Sequence, residues 1–435
     1  MNPEIRCDLM VVGSGIAGMA AAAFASARGL RVAQAGLATT TMFASGCFDL
    51  LGVSPETMKP CDDPYAAIGE LRASNPAHPY ARMHDDAIRA AFGEFLDFCA
   101  GCGVSMHVRE GRNMHLPTPV GSVKTTYAVP ESLLHGVRVM EDESLCLLVD
   151  VRGLKGYSAR QVAAASQGLI NVSGVARVEF PGFEDNADVY VRQMALAMEN
   201  PRIQEELVAR IAPHVRKARA VGLPAMLGLA RSSEVLHAVS DGLGVPVFEI
   251  PTMPPGIAGE RLKTALDEGL RANGVRIFTR QNVLRVRSDS DSFRLEVGSD
   301  WPVHRVAARA VVLASGRFLG RGLVAERLGI REPLFDIPVV QPSHRDQWHA
   351  RRFFAPEGHA VNRAGVVADD DFRPVNESGA CVHERLYAAG AILAHQDWMR
   401  EKSGTGIAVC SAYRAVNALA RESGLAAKGQ SGQHQ

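Results

Sequence analysis

Asp8-Leu9-Met10-Val11-Val12-Gly13-Ser14-Gly15-Ile16-Ala17-Gly18, near the start of the chain, decides the fold. After Asp8 the run is apolar and suits a short strand buried on both faces. Gly13, Gly15 and Gly18 match G-x-G-x-x-G, and the alanine-rich stretch from Ile16 to Arg28 reads as a helix that Gly29 ends. Leu30-Arg31-Val32 supplies the next strand. Gly13 permits the tight turn, Gly15 lets a phosphate approach the backbone, and Gly18 lets helix and strand pack closely. The unpaired N–H groups and positive dipole end of the helix then hold the phosphate, with Ser14 inside the loop. Strand, motif and helix in this order say far more than the glycines alone.

One element of a dinucleotide site is missing. An acidic residue normally lies about 20 residues past the first glycine and holds the adenosine ribose. Here that region reads Gln34-Ala35-Gly36, and the next carboxylate is Asp49. The phosphate grip is present and the ribose anchor absent. That leaves room for a mononucleotide such as FMN, with FAD as the alternative, or for a pocket that has lost its ligand.

The same region carries no charge from Leu9 to Ala27, which a hydropathy scan would flag as a membrane span. Asp8 at its entry, the glycines within it and the small alanines after Gly18 divide it into strand, turn and helix instead. Lys plus Arg (47) equals Asp plus Glu (47), so there is no basic excess for a nucleic acid and none for an anionic membrane. Of the eight cysteines only Cys99 and Cys102 form a C-x-x-C pair. They follow the helical apolar pattern Ile88, Phe92, Phe95, Leu96, whereas a thioredoxin-like pair opens a helix, so they read as ordinary buried thiols. No metal site is expected, and the free thiols indicate the cytosol.

Two later segments return to the same architecture. Ala310-Val311-Val312-Leu313-Ala314-Ser315-Gly316 is a buried strand ending in small residues, similar to the A-T-G strand of FAD-dependent oxidoreductases. Leu386-Tyr387-Ala388-Ala389-Gly390 is a second such strand, leading to Ser403-Gly404-Thr405-Gly406 and a helix from Ile407 to Arg421. A helix N-terminus there would stabilise negative charge on a reduced flavin. Ser315, Gly316, Gly390, Gly404, Thr405 and Gly406 therefore join Gly13, Ser14, Gly15 and Gly18 as expected cofactor contacts.

Between them, strands are expected at residues 144–150, 225–229 and 245–250, with helices at 158–167 and 234–243, an α/β insertion. Pro251-Thr252-Met253-Pro254-Pro255-Gly256 is a stiff turn suited to a boundary. A helix at 260–272 and paired strands at 274–297 follow. The expected class is a Rossmann-like α/β FAD/NAD(P)-binding flavoprotein fold. Its parts are residues 1–142, an inserted domain at 143–250, the returning part at 251–425, and a disordered tail at 426–435.

Longer blocks carry a resemblance. Phe43-Ala44-Ser45-Gly46-Cys47-Phe48-Asp49-Leu50-Leu51, Asn75-Pro76-Ala77-His78-Pro79-Tyr80, Thr118-Pro119-Val120-Gly121-Ser122, residues 251–262, residues 312–338 and Phe353-Phe354-Ala355-Pro356 resemble blocks of the B-subunit family of anaerobic glycerol-3-phosphate dehydrogenases. The resemblance runs over nearly the whole chain and is weakest in the inserted domain. It implies an FMN-bearing component of a complex that oxidises sn-glycerol 3-phosphate to dihydroxyacetone phosphate. Its partners would be an FAD-dependent A subunit and an iron–sulfur, membrane-anchoring C subunit that docks at the inner face of the cell membrane. Electrons would pass to quinone, in fumarate or nitrate respiration. Ser45 and Gly46 become cofactor candidates on this basis. Two features depart from the family: Ala394-His395-Gln396-Asp397-Trp398 is bulkier than its glycine-rich loop, and the cysteine pair is absent from its pattern.

Oxidation of that substrate needs a base for the hydroxyl proton and a cation for the phosphate. Arg261, Arg317 and Arg321 are the cation candidates; His78 and His395 are the base candidates. Residues 343–363 are rich in Arg and His and read first as a solvated loop, second as a partner interface or an electron-exit face. Two rival functions remain open at this point, a cofactor-free structural component of the complex and a free-standing FAD-dependent oxidoreductase.

Overall fold

The first strand forms over Ile5–Val12, and its position inside a seven-stranded sheet organises everything around it. The computed structural model describes residues 3–37, 41–289 and 292–422, so the expected tail at 426–435 lies outside the described residues. Val32–Gly36 pairs parallel on one side of the first strand, with Leu9 opposite Val32, and Pro302–Leu313 pairs parallel on the other, with Leu9 opposite Ala310. Arg276–Thr279 extends the parallel sheet beyond Val32–Gly36. Pro302–Leu313 serves two neighbours. Its first half pairs antiparallel with Phe293–Gly298, and its last residues pair parallel with Leu386–Ala388.

Leu9, Met10 and Val11 are fully buried, as a strand covered on both faces requires. The helix Ile16–Ala27 is buried along most of its length, including Ala20, Ala21 and Ala22. A helix apolar all round must be packed on several sides, and alanine allows the close approach. Phe24 meets Phe95 of the helix Asp85–Gly101 and Tyr413 of the helix Gly404–Glu422 edge-on, at 6.1 and 5.2 Å between centroids. Arg28 joins the same helices, donating to Glu94 and Asn417. Cys99 and Cys102 sit at the end of Asp85–Gly101, and burial raises both thiols above the usual range. A thiol so raised is a poor nucleophile and metal ligand. Among the described residues there is no cluster able to hold a metal, and no helix long and apolar enough to cross a membrane.

The chain forms two compact units, one of Met1–Thr40, Asp49–Cys102 and Leu266–Gln435, the other of Thr41–Phe48 and Gly103–Ala265. The second unit is wider than the expected 143–250. Leu133 and Val137 of the helix Glu131–Glu141 pack with Cys47, Met114, Leu116 and Val129 in one small core, which ties the preceding hairpins to it. Its sheet is all parallel, in the order Val247–Ile250, Ala220–Pro224, Cys146–Val151, Val172–Val178. Alternation along Cys146–Val151 sends Val149 toward Leu207 and Val239 and sends Leu148 toward Val162 and Phe248.

One expected strand is misplaced. Residues 225–229 form not a strand but the turn after Ala220–Pro224, because both stretches are short apolar runs and periodicity cannot separate them. The buried turn survives because Glu249, 1% exposed, accepts the N–H groups of Met226 and Leu227 at 2.8 and 2.6 Å. Arg261 grips the same carboxylate through both terminal nitrogens, at 2.5 and 2.9 Å, while its Nε donates to Gly228 O. Burial pushes the Glu249 carboxyl up, but Arg261 and the N–H donors outweigh it and hold the group below its usual range. Arg261→Met would leave that carboxylate buried and uncompensated, so urea unfolding should show a loss of about 3–5 kcal/mol. A loss under about 1 kcal/mol, the size of an exposed ion pair, would contradict the interior role.

Candidate functional site

The loop at residues 13–18 is shaped by backbone contacts that leave no room for side chains. Gly13 has φ +125, and a Cβ built there would lie 2.1 Å from Ala314 O. At Gly18 a Cβ would lie 2.1 Å from Gly13 O, and at Gly36 one would lie 2.7 Å from Ser14 N. Strand ends, loop and helix start thus converge on one peptide. The helix Ile16–Ala27 has no side-chain cap at Gly15 and no acid in its first turn, so its leading N–H groups remain available to an anion. The hydroxyls of Ser14 and Ser315 are buried with no hydrogen-bond partner among the described residues. Such groups cost free energy unless something else accepts or donates. These features fit the phosphate of a nucleotide cofactor.

The ribose end is different. Gln34, fully buried, donates from Nε2 to Gly13 O at 3.0 Å and so braces the loop, while its Oε1 has no hydrogen-bond partner among the described residues. Gly36 lies against Gly13 and Ser14 closely enough to forbid any side chain. The position that could carry the ribose acid is therefore occupied by packed backbone.

The C-terminal segments reach the same place. Gly390, at φ +76, would put a Cβ 2.6 Å from Ala17 Cβ, and its N–H donates to Ser411 Oγ at 2.9 Å. Gly316, at φ +71, begins a loop that folds back so that a Cβ on Gly322 would lie 2.0 Å from Gly316 O. The helix expected to begin at Ile407 begins at Gly404. Gly404 and Thr405 lie in its first turn and are half-buried. Gly406 plays another part: its N–H donates to Asp49 O at 2.8 Å, and a Cβ there would strike Tyr80 Oη. It is a packing glycine, not an open cofactor contact.

Ser45 and Gly46 belong to the second unit. Ser45, Phe43, Pro119 and Thr252 line a cavity of about 160 Å³ at the ends of Ala220–Pro224 and Val247–Ile250, and a Cβ on Gly46 would lie 3.0 Å from Ala258 Cβ. Arg261, in the same unit, is locked on Glu249, which corrects its expected role as a phosphate holder.

His78 is likewise a strut rather than a base. It is fully buried, its Nδ1 accepts the Tyr80 N–H at 3.1 Å, and its Nε2 lies 3.3 Å from Glu401 Oε2. With Nδ1 accepting, the proton sits on Nε2 and is donated to Glu401. Glu401 also accepts from Ser403 Oγ at 2.7 Å and from Asp397 N at 2.8 Å. Arg317 donates to three backbone carbonyls, of Ala391, Leu393 and Gln396, at 2.7, 3.2 and 2.9 Å. Burial pulls its guanidinium down to about 10, with Asp397 and Glu401 opposing. It organises the loop at residues 390–396.

That loop carries His395 in the left-handed region, at φ +65, a strained conformation for a non-glycine residue. Its imidazole is half-buried and has no hydrogen-bond partner among the described residues. Burial lowers its pKa from 6.5, with Arg82 and His78 adding to the effect, so it is neutral at pH 7. Arg321, exposed at φ +59, has no carboxylate partner among the described residues.

Parallel strands, the phosphate loop and the returning C-terminal segment define an α/β flavoprotein, and the FAD binding domain family matches residues 8–407. The probable anaerobic glycerol-3-phosphate dehydrogenase B subunit of Halobacterium salinarum (strain ATCC 29341 / DSM 671 / R1) is 33% identical, covering 96% of this chain and 98% of its own length. The anaerobic glycerol-3-phosphate dehydrogenase B subunit of Vibrio vulnificus (strain YJ016) is 28% identical, covering 95% and 96%. A crystal structure of 3-ketosteroid delta1-dehydrogenase from Sterolibacterium denitrificans aligns over 96% of this chain and 100% of its own, at 12% identity and a TM-score of 0.44. The chain belongs to the family of anaerobic glycerol-3-phosphate dehydrogenase B subunits.

Sequence reasoning missed the bracing roles of Gln34, Tyr80 and Gly322. Tyr80, fully buried and donating to Leu50 O at 2.6 Å, could have been suspected from its place beside His78 in a recognisable block. For the phosphate loop, Ser14→Ala should leave the fold intact and weaken flavin binding about tenfold to hundredfold, the worth of one hydrogen bond to a charged group. Fluorescence titration of the apoprotein measures this; unchanged affinity would remove Ser14 from the site.

Proposed function

We propose that this chain is the flavin-bearing B subunit of an anaerobic sn-glycerol-3-phosphate dehydrogenase complex. The complex oxidises glycerol 3-phosphate to dihydroxyacetone phosphate and passes the electrons to quinone. The observation that carries this reading is the near-full-length similarity to relatives named as that component. The cofactor we assign is FMN, because Gly36 packs against Gly13 and Ser14 where a dinucleotide would need its ribose acid. An FAD-dependent partner and an iron–sulfur partner at the inner face of the membrane complete the assembly.

A flavin held at the 13–18 loop supplies the two-electron acceptor. The protein supplies the rest. N–H groups of Ile16–Ala27 and the hydroxyls of Ser14 and Ser315 hold the cofactor phosphate, and Gly404 and Thr405 present the start of the Gly404–Glu422 helix. The substrate must lose its hydroxyl proton and, from C2, a hydride that carries the two electrons. His395, neutral and unpartnered, takes that proton, and Arg317 positions it by fixing the loop. Arg321, exposed and without a carboxylate partner among the described residues, is the cation for the substrate phosphate.

Anaerobic addition of sn-glycerol 3-phosphate to the assembled complex should bleach the visible flavin absorbance of this chain as well as that of its FAD-dependent partner. A flavin on this chain that stays oxidised through many turnovers would overturn the reading. His395→Gln should lower kcat about 100-fold or more while leaving flavin content unchanged, as for a lost general base. Protonation disables a base, and burial lowers this one from 6.5, so the wild-type rate should fall as pH drops below 6.5. The variant should lose that acid limb; a variant that keeps it would exclude His395.

A further inference from the structure

Arg351-Arg352-Phe353-Phe354 is exposed at all four positions, with Phe353 81% and Phe354 89% bare. The two rings meet edge-on at 4.8 Å between centroids. This is no loose loop. His359 pins it from both ring nitrogens, Nδ1 accepting the Ala350 N–H and Nε2 bonding Phe353 O, each at 3.0 Å. Arg400 pins it again, donating to Ala355 O at 3.0 Å and to Pro356 O. Arg400 also reaches Met58 Sδ at 3.4 Å and lies beside Trp398 and Met399 in the chain, all three of them exposed apolar side chains. Trp398 lies in turn against Gly404, where a Cβ would be 3.1 Å from its ring. An aromatic and methionine patch is thus held in place beside the start of the Gly404–Glu422 helix. Arg351 and Arg352 have no carboxylate partner among the described residues.

Bare rings cost solvation free energy, and the pinning hydrogen bonds keep them from folding back. Aromatic, Met and Arg residues together are the composition of interface hot spots, and side chains ordered in advance reduce the entropy lost on docking. Two free guanidiniums on the rim call for carboxylates opposite. We propose that Phe353 and Phe354 are the anchor by which this chain docks a partner protein of its own complex, at an apolar pocket rimmed by carboxylates. The proposal rests on the reading of the chain as one component of a complex. An anionic bilayer fits less well, since the chain has a formal net charge of zero and two arginines make a small cationic rim.

The test is coexpression of the full-length chain with its FAD-dependent and iron–sulfur companions, followed by size exclusion of the assembled complex. Phe353→Ser with Phe354→Ser, and separately Arg351→Glu with Arg352→Glu, should each cut recovered complex about tenfold or more, as loss of an interface hot spot does. Flavin content and unfolding temperature of the isolated variants should match wild type, which shows that they fold. Recovery of both variants in full complex would overturn the proposal. So would a wild-type chain that joins neither companion. Self-association lost in the Phe variant would reassign the patch to a second copy, and flotation on phosphatidylglycerol vesicles lost in that variant would reassign it to the membrane; either overturns the proposal. Flavin reduction by glycerol 3-phosphate, read on the same samples, shows separately whether the functional reading fails.

Discussion

Everything at this site depends on the contact between the backbone at Gly13 and the backbone at Ala314. Ile5–Val12 and Pro302–Leu313 run side by side in register, so their ends emerge together, and a Cβ at residue 13 would lie 2.1 Å from Ala314 O. Any side chain there would wedge the strands apart. The same peptide is crowded from two more sides, by Gly18 at the start of the helix and by Gly36 at the end of the next strand. Three close approaches turn a common sheet into a cradle whose N–H groups point at an anion. One of them, at Gly36, puts packed backbone where a dinucleotide site normally carries its ribose acid.

Around this cradle, irregular segments are held by buried polar groups whose capacity is largely used. His78, Glu401 and Ser403 form one such set and Arg317 with three carbonyls another; in the second unit, by itself, Glu249 and Arg261 do the same for a buried turn. Each satisfies groups that a loop would otherwise bury unpaired. Among the groups that stay unpartnered, the hydroxyls of Ser14 and Ser315 stand at the phosphate loop and the strand end beside it, and the imidazole of His395 stands on the loop that Arg317 holds.

The fold was legible where a pattern is local. The strand, glycine loop and alanine-rich helix at the N-terminus, and the later strands ending near Ser315 and Gly390, all follow from short runs with characteristic ends. The site was legible less evenly. The glycines at 13, 18 and 390 could be named because close approach demands glycine wherever it occurs. Gly406 could not be told from them, since whether its missing side chain makes room for a cofactor or for Tyr80 depends on residues far away in the chain. His78 and Arg261 were misjudged for the same reason. A histidine or arginine in a recognisable block looks functional until its partner, Glu401 or Glu249, is seen. Residues 225–229 failed differently: the run is apolar enough for a strand, and only the carboxylate of Glu249 explains why a turn can be buried there.

The central claim is that this cradle holds a flavin by a single phosphate, with no seat for an adenosine. The most direct measurement is to release the flavin from the purified chain in acid and identify it by chromatography. FMN, at close to one per chain, is the result predicted by the packing of Gly36 on Ser14. Stoichiometric FAD would contradict it, and would require the adenosine ribose to be held without the acid that the fold normally provides.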